Sequence, residues 1–174
     1  MNLATELLAS CIKRFKEYKS LGDKTFAQLA DAEMRQQPNE ASNSIAIIIQ
    51  HMHGNMLSRW TNFLTEDGEK VWRKRDDEFE AQSFSKEQLL GLWEDGWKVL
   101  LATLESLHEE DLLKTITIRS QPLVVIDAIN RQLAHYSYHV GQIVYLGRWM
   151  KEGEWTSLSI PKGDSIAYNE KMKA

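Results

Sequence analysis

The sequence predicts an all-α protein, a four-helix bundle with a long crossover, and three observations carry that expectation. Stretches of about 20 residues repeat apolar side chains at three- and four-residue spacing, the period of a helix with one buried face. Only three prolines occur, at 38, 122 and 161, and each falls where such a stretch starts, stops or gives way to a tail. Two of the stretches are nearly free of charge: between residues 43 and 64 only Arg59 is charged, and between 132 and 147 nothing is. Two outer amphipathic helices around two inner charge-poor ones fit a bundle.

The first helix is expected over residues 3–21, with Leu7, Leu8, Cys11, Ile12, Phe15 and Tyr18 on one stripe and Lys13, Arg14, Lys16 and Glu17 off it. Cys11 then belongs to the core. A shorter helical piece over 26–33 leads into a polar linker, 38–43, whose Asn43 or Ser44 can cap the second helix. That helix, expected to reach Leu64, should be largely buried. A charge-rich crossover without clean periodicity follows over 65–84. Ser85 with Gln88 three residues later is a capping-box signature, so a third helix begins at Lys86, packing Leu89, Leu90, Trp93, Trp97, Leu100, Leu101, Leu104 and Leu107 inward. Thr115 to Ile118 alternates polar and apolar β-branched residues, which predicts a short extended segment or small hairpin. Pro122 precedes the final helix, expected over 123–150 and interior like the second. A tail, 151–174, is expected to pack on the surface or against a partner chain. No internal repeat interrupts this order.

Length and composition bound the function. A chain of 174 residues suits one domain, 1–174. A net charge of -4 gives no basic footprint for phosphates, so nucleic acid is not an expected partner. One cysteine allows no intramolecular disulfide and fits a reducing cytoplasm. The first residues, MNLATELLAS, lack a cationic start followed by a long apolar run, and the longest aliphatic run, Ile45 to Ile49, is far short of the roughly 18 residues of a membrane span. The expectation is a soluble, cytoplasmic protein.

The chemistry concentrates in HYSYHVGQIVYL, residues 135–146, where His135 and His139 stand four apart. Side chains at that spacing lie one above the other on a helix, with Cβ atoms roughly 5 to 6 Å apart, so both rings could grip one ion. In bundles such sites form where facing helices converge, and the second helix offers His51 and His53. Residues two apart point about 200° apart, so at most one of them faces the pair. Measured from the stripe of Ile45, Ile48, Ile49, Met52, Met56 and Phe63, periodicity mildly favours His53. His51 instead shares a row with Ser44, Asn55, Ser58 and Asn62, polar but uncharged, which reads as the lining of a wet internal cleft.

The pairing of IIIQHMHGN with HYSYHVGQIVYL resembles the DinB/YfiT superfamily of bacterial four-helix-bundle metal-binding proteins. More narrowly, SIAIIIQHMHGNMLSRWTNFLTEDGEKVWRKRDDEF resembles an uncharacterised, domain-of-unknown-function branch of it. The resemblance covers nearly the whole chain. It implies up-down-down-up helix order, frequent dimers, and a divalent ion held by one histidine of the second helix and a His-x3-His pair on the last. By motif position these are His51, His135 and His139, and His53 becomes a flanking or outer residue. Characterised relatives include metal-dependent transferases of low-molecular-weight thiols and a hydrolase of a cyclic dipeptide-like compound. Membership implies a site and not a substrate.

Three neutral imidazoles would leave a divalent ion its full charge and an open position, a catalytic type of site. One route is a bound water acidified toward about pH 7 for hydrolysis; the other is a coordinated thiolate for attack on an electrophile. No Asp or Glu neighbours the three histidines on either helix, which favours thiol transfer over the runner-up, a metal-dependent hydrolase. A non-catalytic metal-binding dimeric module, and a bundle whose histidines are merely buried, are the remaining readings. Zinc, nickel, manganese and iron all accept such ligands, with zinc or nickel favoured. The expected partners are a small-molecule substrate, a low-molecular-weight thiol among the candidates, and a second copy of the chain.

Around the trio, Asn55 and Gln142 could orient an imidazole or bind a ligand. Tyr138 and Tyr136 flank the pair and could donate to a bound anion, although aromatic residues on a buried helix are more often core. Arg59, with Arg73 and Arg75, could hold an acidic substrate group; ion pairing with Asp67, Asp76, Asp77 or Glu78 is the preferred reading. His108 reads as a solvated helix end, and the six tryptophans as core and interface anchors.

Overall fold

Asn2 opens the first helix by accepting the Thr5 N–H at 3.0 Å, and α1 runs over Leu3–Phe26. The computed structural model describes residues 2–173; Ala174, the end of the expected tail, lies outside them. Helix α1 continues past Leu21 because Gly22 is a packing residue and not a stop. A Cβ at Gly22 would come within 2.3 Å of the Trp93 indole, and Thr25 and Phe26 beyond it are buried. The short second helix, α2, is displaced to Asp31–Arg35, where the Glu33 carboxylate accepts the Ala30 N–H at 2.5 Å.

Helix α3, Ile45–Trp60, is capped by Ser44, which accepts the Ile47 N–H at 3.2 Å. All its residues except His53, Gly54 and Leu57 are buried, as its lack of charge predicts. It stops at Trp60, short of Leu64. Asn62 takes a φ of 50°, the left-handed region that asparagine tolerates, and turns Phe63 back against the Trp60 ring. Helix α4, Lys86–Ser106, has the predicted capping box: Ser85 Oγ accepts the Gln88 N–H at 3.3 Å and Gln88 Oε1 accepts the Ser85 N–H at 2.8 Å.

The extended segment is one arm of a hairpin, β1 Thr115–Ile118 paired antiparallel with β2 Gln121–Val124. Its two-residue turn, Arg119 and Ser120, has φ of 56° and 59°, the geometry usually given to Asn-Gly. Asp67 supports it by accepting both turn N–H groups, at 2.8 and 2.7 Å. Against the cost of desolvation, these donors and the Glu69 N–H bring the Asp67 carboxyl down to about 2. Pro122 therefore lies in β2, and the last long helix, α5, begins at Val125 and ends at Lys151.

Helix α5 departs from expectation in one respect: it is not interior like α3. Its inner face buries Ile129, Tyr136, Val140 and Ile143, but Tyr138, Gly141, Tyr145 and Trp149 form an exposed, uncharged outer face. The tail starts by exchanging hydrogen bonds between Thr156 and Gln28, at 2.8 and 3.1 Å, and ends in α6, Ser165–Lys171, which is exposed throughout.

The chain is mostly helical, with the hairpin its one sheet among the described residues. Helix α3 packs against α4 and α5, and α1 against α5 and α4. Phe15, Trp60, Trp97 and Tyr136 meet at the centre of their shared core. No helix among the described residues is long and apolar enough to cross a membrane.

Two members of the uncharged polar row, Ser58 and Asn62, hold the crossover, with Arg59 beside them. Ser58 Oγ donates to Gly68 O at 2.8 Å and accepts the Lys70 N–H at 3.1 Å. Asn62 donates to Glu66 at 2.8 Å, and Arg59 reaches Gly68 O and Glu69. At Ser58 charge is missing because backbone, and not solvent, is what the side chain meets.

Candidate metal centre

Three imidazoles from two helices converge where α3 faces α5. His135 Nε2 lies 3.4 Å from His51 Nε2 and 3.1 Å from His139 Nε2. One ring nitrogen from each residue lies within 4.8 Å of the others, and no carboxylate belongs to the cluster. Nitrogen ligands at 2.0 to 2.1 Å around a tetrahedral ion would be separated by about 3.3 Å, so the two short separations suit a common ion.

The outer nitrogens explain which lone pairs point inward. His51 Nδ1 lies 2.9 Å from Glu78 Oε2, and an ionised carboxylate can only accept, so Nδ1 carries a proton and the neutral ring presents a bare Nε2. His139 Nδ1 lies 2.8 Å from Gln142 Oε1, while Gln142 Nε2 donates to the Tyr138 hydroxyl at 3.1 Å. That second bond orients the amide and leaves His139 Nε2 bare as well. His135 Nδ1 is buried without a partner among the described residues. A single proton on His135 could not serve both facing lone pairs; a cation could serve all three.

The electrostatics keep His135 and His139 neutral. Burial, reinforced by His139, His51, Arg59 and Arg73, pulls His135 down to about 3. Burial also lowers His139, to about 4, against the opposing hydrogen bond with Gln142. Burial would raise the Glu78 carboxyl, but hydrogen bonds from Arg73 and His51 outweigh it and hold the group below its ordinary value.

Gln142 touches His139 directly, and the exposed Tyr138 ring meets His139 edge to face at 5.0 Å. Asn55 instead accepts the Tyr136 hydroxyl at 2.8 Å, within a buried chain that continues to Trp60 Nε1. Arg59 is buried and paired with Glu69 at 2.9 Å, a carboxylate outside the expected set. Arg73 pairs with Glu78 and Arg75 with Asp76, both within it. His53 turns to α4, 3.0 Å from Asp95, so the two histidines of α3 address different helices.

Sequence reasoning missed the contribution of the crossover. A 3-10 turn, Asp76–Phe79, brings Glu78 to His51 and lays the Phe79 ring 4.7 Å from the imidazole. The expectation that no carboxylate neighbours the trio is confined to the two helices; the crossover folds over them and brings one in. One signal was available: Gly54, inside a buried helix, has no Cβ to obstruct Glu78, whose Oε1 would lie 2.3 Å from it.

No curated protein matches the chain. A family model described as Protein of unknown function (DUF1572) matches residues 2–164, which stops just before α6, and the chain belongs to that family.

Proposed function

We propose that the protein is a divalent-metal-binding member of the DinB/YfiT superfamily, its long helices forming a four-helix bundle in up-down-down-up order, and that it is a metal-dependent small-molecule enzyme of the thiol S-transferase type. The observation that carries this is the convergence of the Nε2 atoms of His51, His135 and His139. When bound, zinc or nickel would supply positive charge that stabilises an anionic sulfur or oxygen nucleophile. Three neutral protein ligands leave room for one.

The surroundings favour sulfur. Glu78 already accepts from His51 and twice from Arg73, at 2.9, 2.7 and 2.8 Å, which leaves it poorly placed to take a proton from water. A hydrolase would need another base. Cys11 cannot supply the thiol, because it is buried and burial pushes its thiol up. The nucleophile must then be a separate small molecule, of the kind kept reduced in the cytoplasm. The exposed aromatic face of α5 supports a homodimer.

Elemental analysis of the untagged protein tests the site: about one divalent ion per chain, absent from a His51→Ala, His135→Ala, His139→Ala triple variant, is expected. A panel of cellular thiols with an electrophile then tests the reaction. Metal without metal-dependent turnover would favour a non-catalytic binding module.

A further inference from the structure

We propose that Glu78, clamped by Arg73, is a positioning residue that fixes the ring of His51 and aims its Nε2 at His135 and His139. The consequence for metal binding rests on the reading of the three histidines as a metal site; the effect on His51 itself does not.

The geometry is that of a fixed support. The His51 and Glu78 side chains are 7 and 9 % exposed, and Arg73 is 2 % exposed. Arg73 grips both carboxylate oxygens, Nε to Oε1 at 2.7 Å and Nη2 to Oε2 at 2.8 Å, a two-point contact that sets the plane of the group. Oε2 then accepts the His51 Nδ1–H at 2.9 Å. Phe79, the next residue, tilts its ring 31° from the imidazole at 4.7 Å and restricts its rotation. Gly54, three residues along α3 from His51, leaves the space that Glu78 occupies.

The three imidazoles are supported unequally. His139 has a neutral amide partner, Gln142, and His135 Nδ1 has none among the described residues. Only His51 faces a full negative charge, and its orientation is the best defined of the three. An Arg–Glu pair whose role was only to tie down the crossover would not need to share an oxygen with a histidine. The crossover therefore acts on the centre while supplying no ligand to it.

Two readouts test this on the full-length protein. In metal-free protein, long-range 1H–15N correlation reports which nitrogen of His51 is protonated, and cobalt(II) titration reports affinity. Wild type should carry the proton on Nδ1. Glu78→Ala should lose that preference and bind cobalt(II) about 10- to 100-fold more weakly. The isosteric Glu78→Gln, which keeps the packing, should fall between. Asp67→Asn, which loosens the crossover from the hairpin without touching His51, should keep both the tautomer and the affinity. The proposal is overturned if both Glu78 variants keep the wild-type tautomer and affinity, or if Asp67→Asn loses as much as Glu78→Ala. Failure of wild type to bind cobalt(II) would overturn the metal reading, while the tautomer measurement would still decide the role of Glu78.

Discussion

His135 Nε2 lies 3.1 Å from His139 Nε2, one turn along α5, and the same nitrogen lies 3.4 Å from His51 on α3. Three acceptors crowd one point with at most one proton between them, so the metal-free centre is held together by its surroundings and not by its own contacts. Removing one ring should therefore cost the metal-free fold little and the loaded protein much. His139→Ala is expected to keep a melting temperature within a few degrees of wild type in chelator and to lose the upward shift that added zinc gives wild type. Scanning calorimetry with and without zinc reads both. A zinc-induced shift equal to wild type would remove His139 from the ligand set.

Acid should destabilise the metal-free protein well above the carboxylate range. The unfolded imidazoles take up protons as pH falls through about 6.5. In the fold, burial first and neighbouring rings second hold His139 at about 4 and His135 at about 3. Between those values the unfolded chain binds more protons, so stability falls as pH falls from about 6.5 toward 4. Urea unfolding of chelated wild type at pH 7 and pH 5 should show the loss. A His135→Ala, His139→Ala variant should lose less over that interval, and an equal loss would mean that other groups cause it.

The same residues show how far the sequence could be read. Local rules gave the Ser85–Gln88 box and the apolar stripe of α4 directly, because a cap and a 3.6-residue period depend only on neighbours in the chain. Helix ends failed where tertiary contacts decide: Trp93 needs Gly22 as a packing surface, and Asp67, far along the chain, props up the Arg119–Ser120 turn that draws Pro122 into a strand. His135 and His139 were legible from their spacing. Choosing His51 over His53 took a family resemblance, since both lie within reach of the buried face and only the arrangement of α4 and α5 separates them. Glu78 was legible only as an ion-pair partner of arginine, and its contact with His51 was not, because a 3-10 turn in a charged, aperiodic segment carries no register that would point it at the histidines.

Two glycines should respond oppositely to alanine. At Gly54 a Cβ would sit 2.3 Å from Glu78 Oε1, and that carboxylate cannot swing aside without losing Arg73 and His51. Gly54→Ala is expected to destabilise the protein and to weaken metal binding together. At Gly91 in α4 nothing lies within 4 Å, so alanine there should stabilise by about 0.5 to 1 kcal/mol through helix propensity alone. Denaturation midpoints with cobalt(II) titration separate the two effects. An unaltered metal affinity in Gly54→Ala would show that Glu78 has room to move.

The outer face of α5 makes the oligomeric state testable without disturbing the core. Tyr145 is 70 % exposed and Trp149 45 % exposed, and beside them a groove of about 340 Å³ between α1 and α5 is lined by Tyr18, Leu21, Gly141 and Val144. Large aromatic residues left in water on a helix this poor in charge form the kind of patch that interfaces use, since nothing from Gln132 to Gly147 is charged and Arg148 is the first charge after it. Light scattering at micromolar concentration is expected to give twice the chain mass for wild type. Tyr145→Glu with Trp149→Glu should give the single-chain mass and a helical spectrum like that of wild type, because neither side chain is part of the core. A wild type that scatters as one chain over the same range would remove the dimer from the proposal and leave the metal centre untouched, since all three histidines and Glu78 come from a single chain.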